Sequence, residues 1–126
     1  MTAKHRLVVC VSCKDREGRG SRGERAGARL YDSLSSRLDS WSRRRGFVVA
    51  PYECLSACTR PCVVALRAPG KYTYVFGDMA PMKSELSIVE CAALYADKTD
   101  GFLRRDDRPP TMRAAILARV PPDLDD

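Results

Sequence analysis

The sequence has one histidine, one tryptophan and nine aromatic residues in 126, and it holds no long apolar run. A single imidazole, His5, read as part of a flexible N-terminus among basic neighbours, leaves no Ser-His-acid or His-rich constellation for a hydrolase or transferase. No stretch approaches the roughly 18 apolar residues of a membrane span, and residues 1–10 alternate too early for a signal peptide. No aromatic residue lies between His5 and Tyr31, so the basic segment from Lys14 to Arg29 lacks the stacking groups that single-strand binders use. These absences point to a cytoplasmic protein without a membrane partner and count against nucleic acid as a partner. What the chain has in excess is positive charge and sulfur. Its net charge is +6, and residues 1–46 carry twelve basic and five acidic side chains. Six cysteines in a reducing compartment point to metal or redox chemistry more than to structural disulfides.

The chain reads as one domain over 1–126. Residues 6–11 form an apolar, β-branched run expected to be a buried strand. A flexible basic loop is expected over 14–23. Ala26, Leu30, Leu34, Leu38 and Trp41 then recur at helical spacing, predicting a helix over 24–45 that Gly46 ends. Residues 47–50 read as a second strand. Residues 62–68 and 72–76 flank Pro69-Gly70-Lys71 and predict a hairpin. A second helix is expected over 82–96, its inner face formed by Met82, Leu86, Val89, Ala93 and Ala96. The tail, 104–126, carries paired acids at Asp106-Asp107 in a solvated charged link and a short helix near 111–119. The order βαβ-ββα is the thioredoxin-like arrangement, an α/β fold with a central four-stranded mixed sheet.

Topology then places the cysteines. If the first two strands are parallel, their carboxyl ends share one edge of the sheet, where ligands collect in open α/β folds. Cys10 and Cys13 follow the first strand, and Cys54 and Cys58 follow the second. Cys62 opens an antiparallel third strand and starts near the same rim. Cys91, well inside the second helix, reads as a small residue filling a helix–sheet gap. Four thiols at one rim suit a [2Fe–2S] cluster. They also suit a tetrahedral Zn²⁺ site, since both pairs fall within Cys-x₂₋₄-Cys spacing. A thiol–disulfide couple at Cys10 and Cys13 fits less well, because about ten residues separate Cys13 from the helix whose N-terminus would acidify it. A nucleic-acid-binding module remains the third alternative, resting on the basic segment.

The residues Glu53-Cys54-Leu55-Ser56-Ala57-Cys58, then Pro61-Cys62-Val63-Val64 and the hairpin 69–74, resemble the thioredoxin-like [2Fe–2S] ferredoxins. A closer resemblance is to a bacterial family of unknown function regarded as metal-binding. The likeness there runs through Val-Cys-x-x-Cys, Glu-Cys-Leu-x-x-Cys-x-Arg-Pro-Cys, Pro-Gly-Lys-x-Thr-Tyr-x-Phe-Gly-Asp and the tail Arg119-Val120-Pro121-Pro122. It implies a cytoplasmic one-electron carrier whose cluster is held by Cys10, Cys54 and Cys58. Cys13 departs from the ferredoxin pattern, which places that ligand farther along the loop. Because no cysteine lies between Lys14 and Tyr52, the fourth ligand is expected to be Cys13, with Cys62 as alternate or supporting thiol. In those folds a cis-proline often precedes the third strand, the position of Pro61 here. The second family's resemblance further implies a reductive step related to cobalamin or cobalt. The partner expected is a redox protein with an acidic docking surface, steered by the basic segment. A homodimer is also open.

Overall fold

The computed structural model describes residues 5–11, 25–41, 46–53, 55, 60, 62–80 and 83–122. The expected 14–23 loop, Cys13, Cys54, Cys58, the Pro61 peptide bond, Met82 and the acidic end after Pro122 lie outside the described residues.

The structure is α/β and thioredoxin-like in element order. Strand β1 (His5–Cys10) is followed by helix α1 (Ala26–Asp39), strand β2 (Phe47–Tyr52), strand β3 (Val64–Arg67), strand β4 (Thr73–Phe76) and helix α2 (Glu85–Asp97). A 3-10 turn (Arg105–Asp107), a one-turn helix α3 (Pro110–Arg113) and strand β5 (Ile116–Val120) complete it. The mixed sheet has the order β2-β1-β3-β4-β5, with β1 and β2 parallel and the other pairings antiparallel.

Alternation in the strands sets the core. Leu7 and Val9 of β1, Leu66 of β3, and Tyr74 and Phe76 of β4 are all at most 1% exposed. They pack in one cluster with Leu30 and Leu34 of α1 and Ile88, Ala92 and Tyr95 of α2. Each such aliphatic side chain contributes about 1.5–3 kcal/mol by leaving water. The two helices meet on that same side of the sheet, where the Ser33 hydroxyl of α1 donates to the buried Glu85 carboxylate of α2. The β3–β4 hairpin is a tight turn in which Lys71 N donates to Ala68 O at 3.2 Å. Gly70, at φ +72°, takes the left-handed position that a type II turn after proline demands.

Several expectations need correction. The sheet has five strands, not four: the expected 111–119 helix stops at Arg113, and 116–120 extend along the free edge of β4. Pairing with an available edge outweighs weak helical periodicity in so short a segment. Helix α1 ends at Asp39 rather than 45, with Ser40 Oγ bonded to Arg37 O. Trp41 therefore leaves the helical stripe and packs on the Phe47 ring, centroids 5.3 Å apart. On α2 the buried face is Glu85, Ile88, Cys91, Ala92 and Tyr95. Leu86, expected inside, is 64% exposed. The helix is apolar nearly all round, so periodicity fixes its phase poorly.

His5 is not in a flexible terminus. It opens β1, is 9% exposed, and stacks on Phe47 at 5.0 Å. Its Nε2 lies 3.0 Å from Lys71 Nζ and its Nδ1 3.2 Å from Gly46 O. An ammonium only donates and a carbonyl only accepts, so Nε2 is the acceptor and Nδ1 carries the proton. Asp107, expected to be solvated, accepts from Arg104 N at 3.1 Å and caps the 3-10 turn.

Candidate metal centre

The rim predicted from topology exists in the strand register. Cys10 lies opposite Tyr52, and Val11 N donates to Tyr52 O at 2.9 Å, so β1 and β2 stay paired to their carboxyl ends. Neighbouring strands run about 4.8 Å apart, and the two chains therefore leave the sheet side by side. On the other flank Cys10 N donates to Val63 O at 3.0 Å. Strand β3 thus enters at the edge that β1 leaves, with Cys62 next in line.

Cys10 and Cys62 are each 1% exposed. The Cys10 thiol points to the Glu53 carbonyl, 3.9 Å away, in the segment that leads from β2 into Cys54. Cys62 is held by two backbone bonds to Met79, Cys62 N to Met79 O at 2.9 Å and Met79 N to Cys62 O at 3.0 Å. Helix α1 closes on the same end. A Cβ built on Gly27 would stand 2.0 Å from Cys10 O, so the first turn of α1 reaches the end of β1 because position 27 has no side chain.

A second brace lies just upstream of Cys62. Arg60 donates to Asp78 Oδ2 through Nε at 3.1 Å and through Nη2, and Nη2 also reaches Ala114 O at 3.2 Å. The hydrogen bond to Asp78 raises the Arg60 pKa above its ordinary value, opposed by desolvation. Asp78 N in turn donates to Arg60 O at 2.9 Å. Asp78 has φ +59° and is the one non-glycine residue with positive φ among the described residues, a conformation aspartate tolerates better than most side chains. Arg60 and the Phe-Gly-Asp string were both legible as parts of motifs. Their mutual contact was not, since nothing in a linear motif states which parts touch.

Cys91 takes no part in the rim. It is fully buried on α2, and burial pushes its thiol up to about 12, with the charge of Arg108 acting in the opposite direction. That is the environment of a structural thiol.

The described side chains at the rim that could serve a bound group are thiols, Cys10 and Cys62. Sulfur stands where two parallel strand ends meet, while His5 is at the opposite end of β1 and Glu85 is engaged with Ser33. Among the described residues no three His, Cys, Asp or Glu side chains gather as a metal site, and three of the four expected ligands lie outside those residues. Also among the described residues, no helix is long and apolar enough to cross a membrane.

Comparison with known proteins agrees with the fold. A thioredoxin-like [2Fe-2S] ferredoxin from Aquifex aeolicus superposes with a TM-score of 0.61 at 18% identity, covering 98% of this chain and 99% of that one. A cysteine-to-serine variant of the ferredoxin gives 0.58 at 14% identity, over 90% of this chain and 98% of that one. A wild-type structure gives 0.55 at 12% identity, over 93% and 99%. Identities this low speak for a shared thioredoxin-like fold. No curated protein matches the chain. A family model described as "Protein of unknown function (DUF1636)" matches residues 7–122, and the chain belongs to that family.

Proposed function

We propose that the chain is a ferredoxin-like one-electron carrier whose [2Fe–2S] cluster is held by Cys10, Cys13, Cys54 and Cys58. The observation that carries this reading is the position of Cys10, a buried thiol at the common carboxyl end of two parallel strands that stay in register to Tyr52. Chain length supports it: at 3.3–3.6 Å per residue, Cys13 falls within about 11 Å of Cys10 along the backbone, and Cys54 within about 7 Å of Tyr52. When bound, such a cluster accepts and returns a single electron with four thiolates around it. The chain's own part is to bury the Cys10 sulfur, to hold Cys10 between Val63 and Gly27, and to anchor the approach to Cys62. Neither the fold nor the relatives bears on a cobalt-related step.

The test is visible absorption, metal analysis and EPR of dithionite-reduced protein purified without oxygen. Serine replacements at Cys10, Cys13, Cys54 and Cys58 are expected to abolish or distort the spectrum, whereas Cys91→Ala leaves it intact. Cys62→Ser decides between Cys13 and Cys62 as fourth ligand. A colourless, EPR-silent protein with one tightly held zinc would overturn the electron-carrier reading.

A further inference from the structure

Both helices lie on one side of the sheet, and among the described residues no helix covers the other side, which is exposed toward its edges at Val48, Tyr52 and Val120 and buried at Ala65 and Cys10. Paired positions in adjacent strands share a face, so the register maps that open side. Arg6 stands beside Val48 and opposite Arg67, while Val8 stands beside Ala50 and opposite Ala65. Val75 continues the row to β5. Val48, Tyr52 and Val120 fall on this face at 39%, 60% and 51% exposure. They are three of the four exposed large apolar side chains among the described residues.

Two features make the face more than leftover surface. The first is charge. Arg6 and Arg67 are direct cross-strand partners, a like-charge pairing that weakens a sheet. Neither joins an ion pair among the described residues, and no strand position on the face is acidic. The second is shape. A cleft of about 560 Å³ runs from Tyr52 and Leu55 across Val8 to Val75, and another of about 410 Å³ lies between the hairpin turn and Pro121-Pro122. Arg6, Arg67 and Thr73 line both.

The geometry points to this open sheet face as the docking surface for an acidic protein partner, whose carboxylates are taken by Arg6 and Arg67 and whose apolar residues cover the row from Val8 to Val75. Charge complementarity selects that occupant. A second copy of the face would bring arginines against arginines on a chain already at +6. A nucleic acid would meet a mostly aliphatic surface with Tyr52 as its lone aromatic. Cys10 follows Val8 by two positions on β1 and so continues this row toward the rim. If the proposed cluster sits there, a partner on the face lies beside it; that identification of the partner as electron donor or acceptor rests on the proposed function.

The test uses the full ¹⁵N-labelled chain and, as probe, a synthetic amphipathic peptide of alternating glutamate and leucine. Amide shifts are expected at Arg6, Val8, Ala65 and Arg67. Binding should weaken about tenfold or more in the Arg6→Glu, Arg67→Glu double variant and fall with added salt. Because charge reversal can perturb folding, the Arg6→Ala, Arg67→Ala variant is run beside it and should show an intermediate loss. The proposal is overturned by shifts confined to another surface, by indifference to both variants, or by a single-stranded oligonucleotide that binds more tightly than the peptide. A salt-resistant dimer in sedimentation that protects Arg6 and Arg67 would also overturn it. The peptide result does not depend on the cluster, whose presence absorption reports separately.

Discussion

Gly27 shows how one missing side chain lets a helix close on Cys10. In a helix, glycine normally costs about 1 kcal/mol relative to alanine, and the sequence alone presents it as a defect in the first turn of α1. Its use appears only in three dimensions, where a Cβ would run into the carbonyl and Cα of residues 10 and 11, at 2.0 Å and 3.1 Å. Those atoms are backbone and cannot swing aside. Gly27→Ala is therefore expected to destabilise the fold by about 1–3 kcal/mol through overpacking, read by urea denaturation. It should also alter the spectrum of the loaded protein, because the shift falls on Cys10. An unchanged midpoint together with an unchanged spectrum would refute the role of this contact. Cys10 itself was legible, since a cysteine at the end of an apolar strand has only the sheet edge to occupy. His5 was not. Its burial depends on Phe47, Lys71 and Gly46, which are at least 41 residues away in sequence.

Between elements, the Arg60–Asp78 contact ties the approach to Cys62 to the segment that follows β4. The backbone bonds of Asp78 and Met79 to Arg60 and Cys62 extend the pairing of β3 and β4 beyond Val64 and Phe76. The ion pair clamps the free end of that extension. Asp78→Gly keeps the left-handed backbone but removes the carboxylate, whereas Asp78→Ala also imposes a backbone cost of about 1–2 kcal/mol. Both variants are expected to release bound metal or cluster to a chelator faster than the wild type, with alanine the faster of the two. Equal release from all three would show that the clamp does not support the centre. At this scale the sequence was informative wherever a local rule decided the matter. The Pro-Gly turn, the apolar strands and the stripe of α1 all follow from nearest-neighbour chemistry. It failed for the phase of α2 and for β5. There the deciding facts are which side of a uniformly apolar helix meets the sheet, and that β4 has an open edge.

For the molecule as a whole, the two-layer arrangement buries the ionisable groups Glu85, Cys91 and Tyr95 on the inner face of α2. Cys91 is fully buried, and burial pushes its thiol from the ordinary 9.0 up to about 12. Burial likewise raises Tyr95, with the neighbouring Tyr74 adding to the shift and Arg67 opposing it. Tyr95 donates its hydroxyl proton to Tyr72 O, so ionisation would also remove that bond. In both groups the folded chain keeps a proton that the unfolded chain gives up. Stability from Cys91 is thus complete below pH 9 and declines as pH rises from 9 toward 12. One pKa unit corresponds to about 1.4 kcal/mol, so the total loss is on the order of a few kcal/mol. The expected result is a urea midpoint that falls between pH 9 and 11 more steeply in the wild type than in Cys91→Ala. That variant loses the sulfur's packing but has no thiol to ionise. The stability gap between the two proteins should therefore narrow with rising pH. A gap that stays constant across that interval would mean that Cys91 does not couple its proton to folding. The same burial predicts that an alkylating reagent reaches Cys91 only when the core opens, so labelling of this thiol should accelerate in step with the fall in stability.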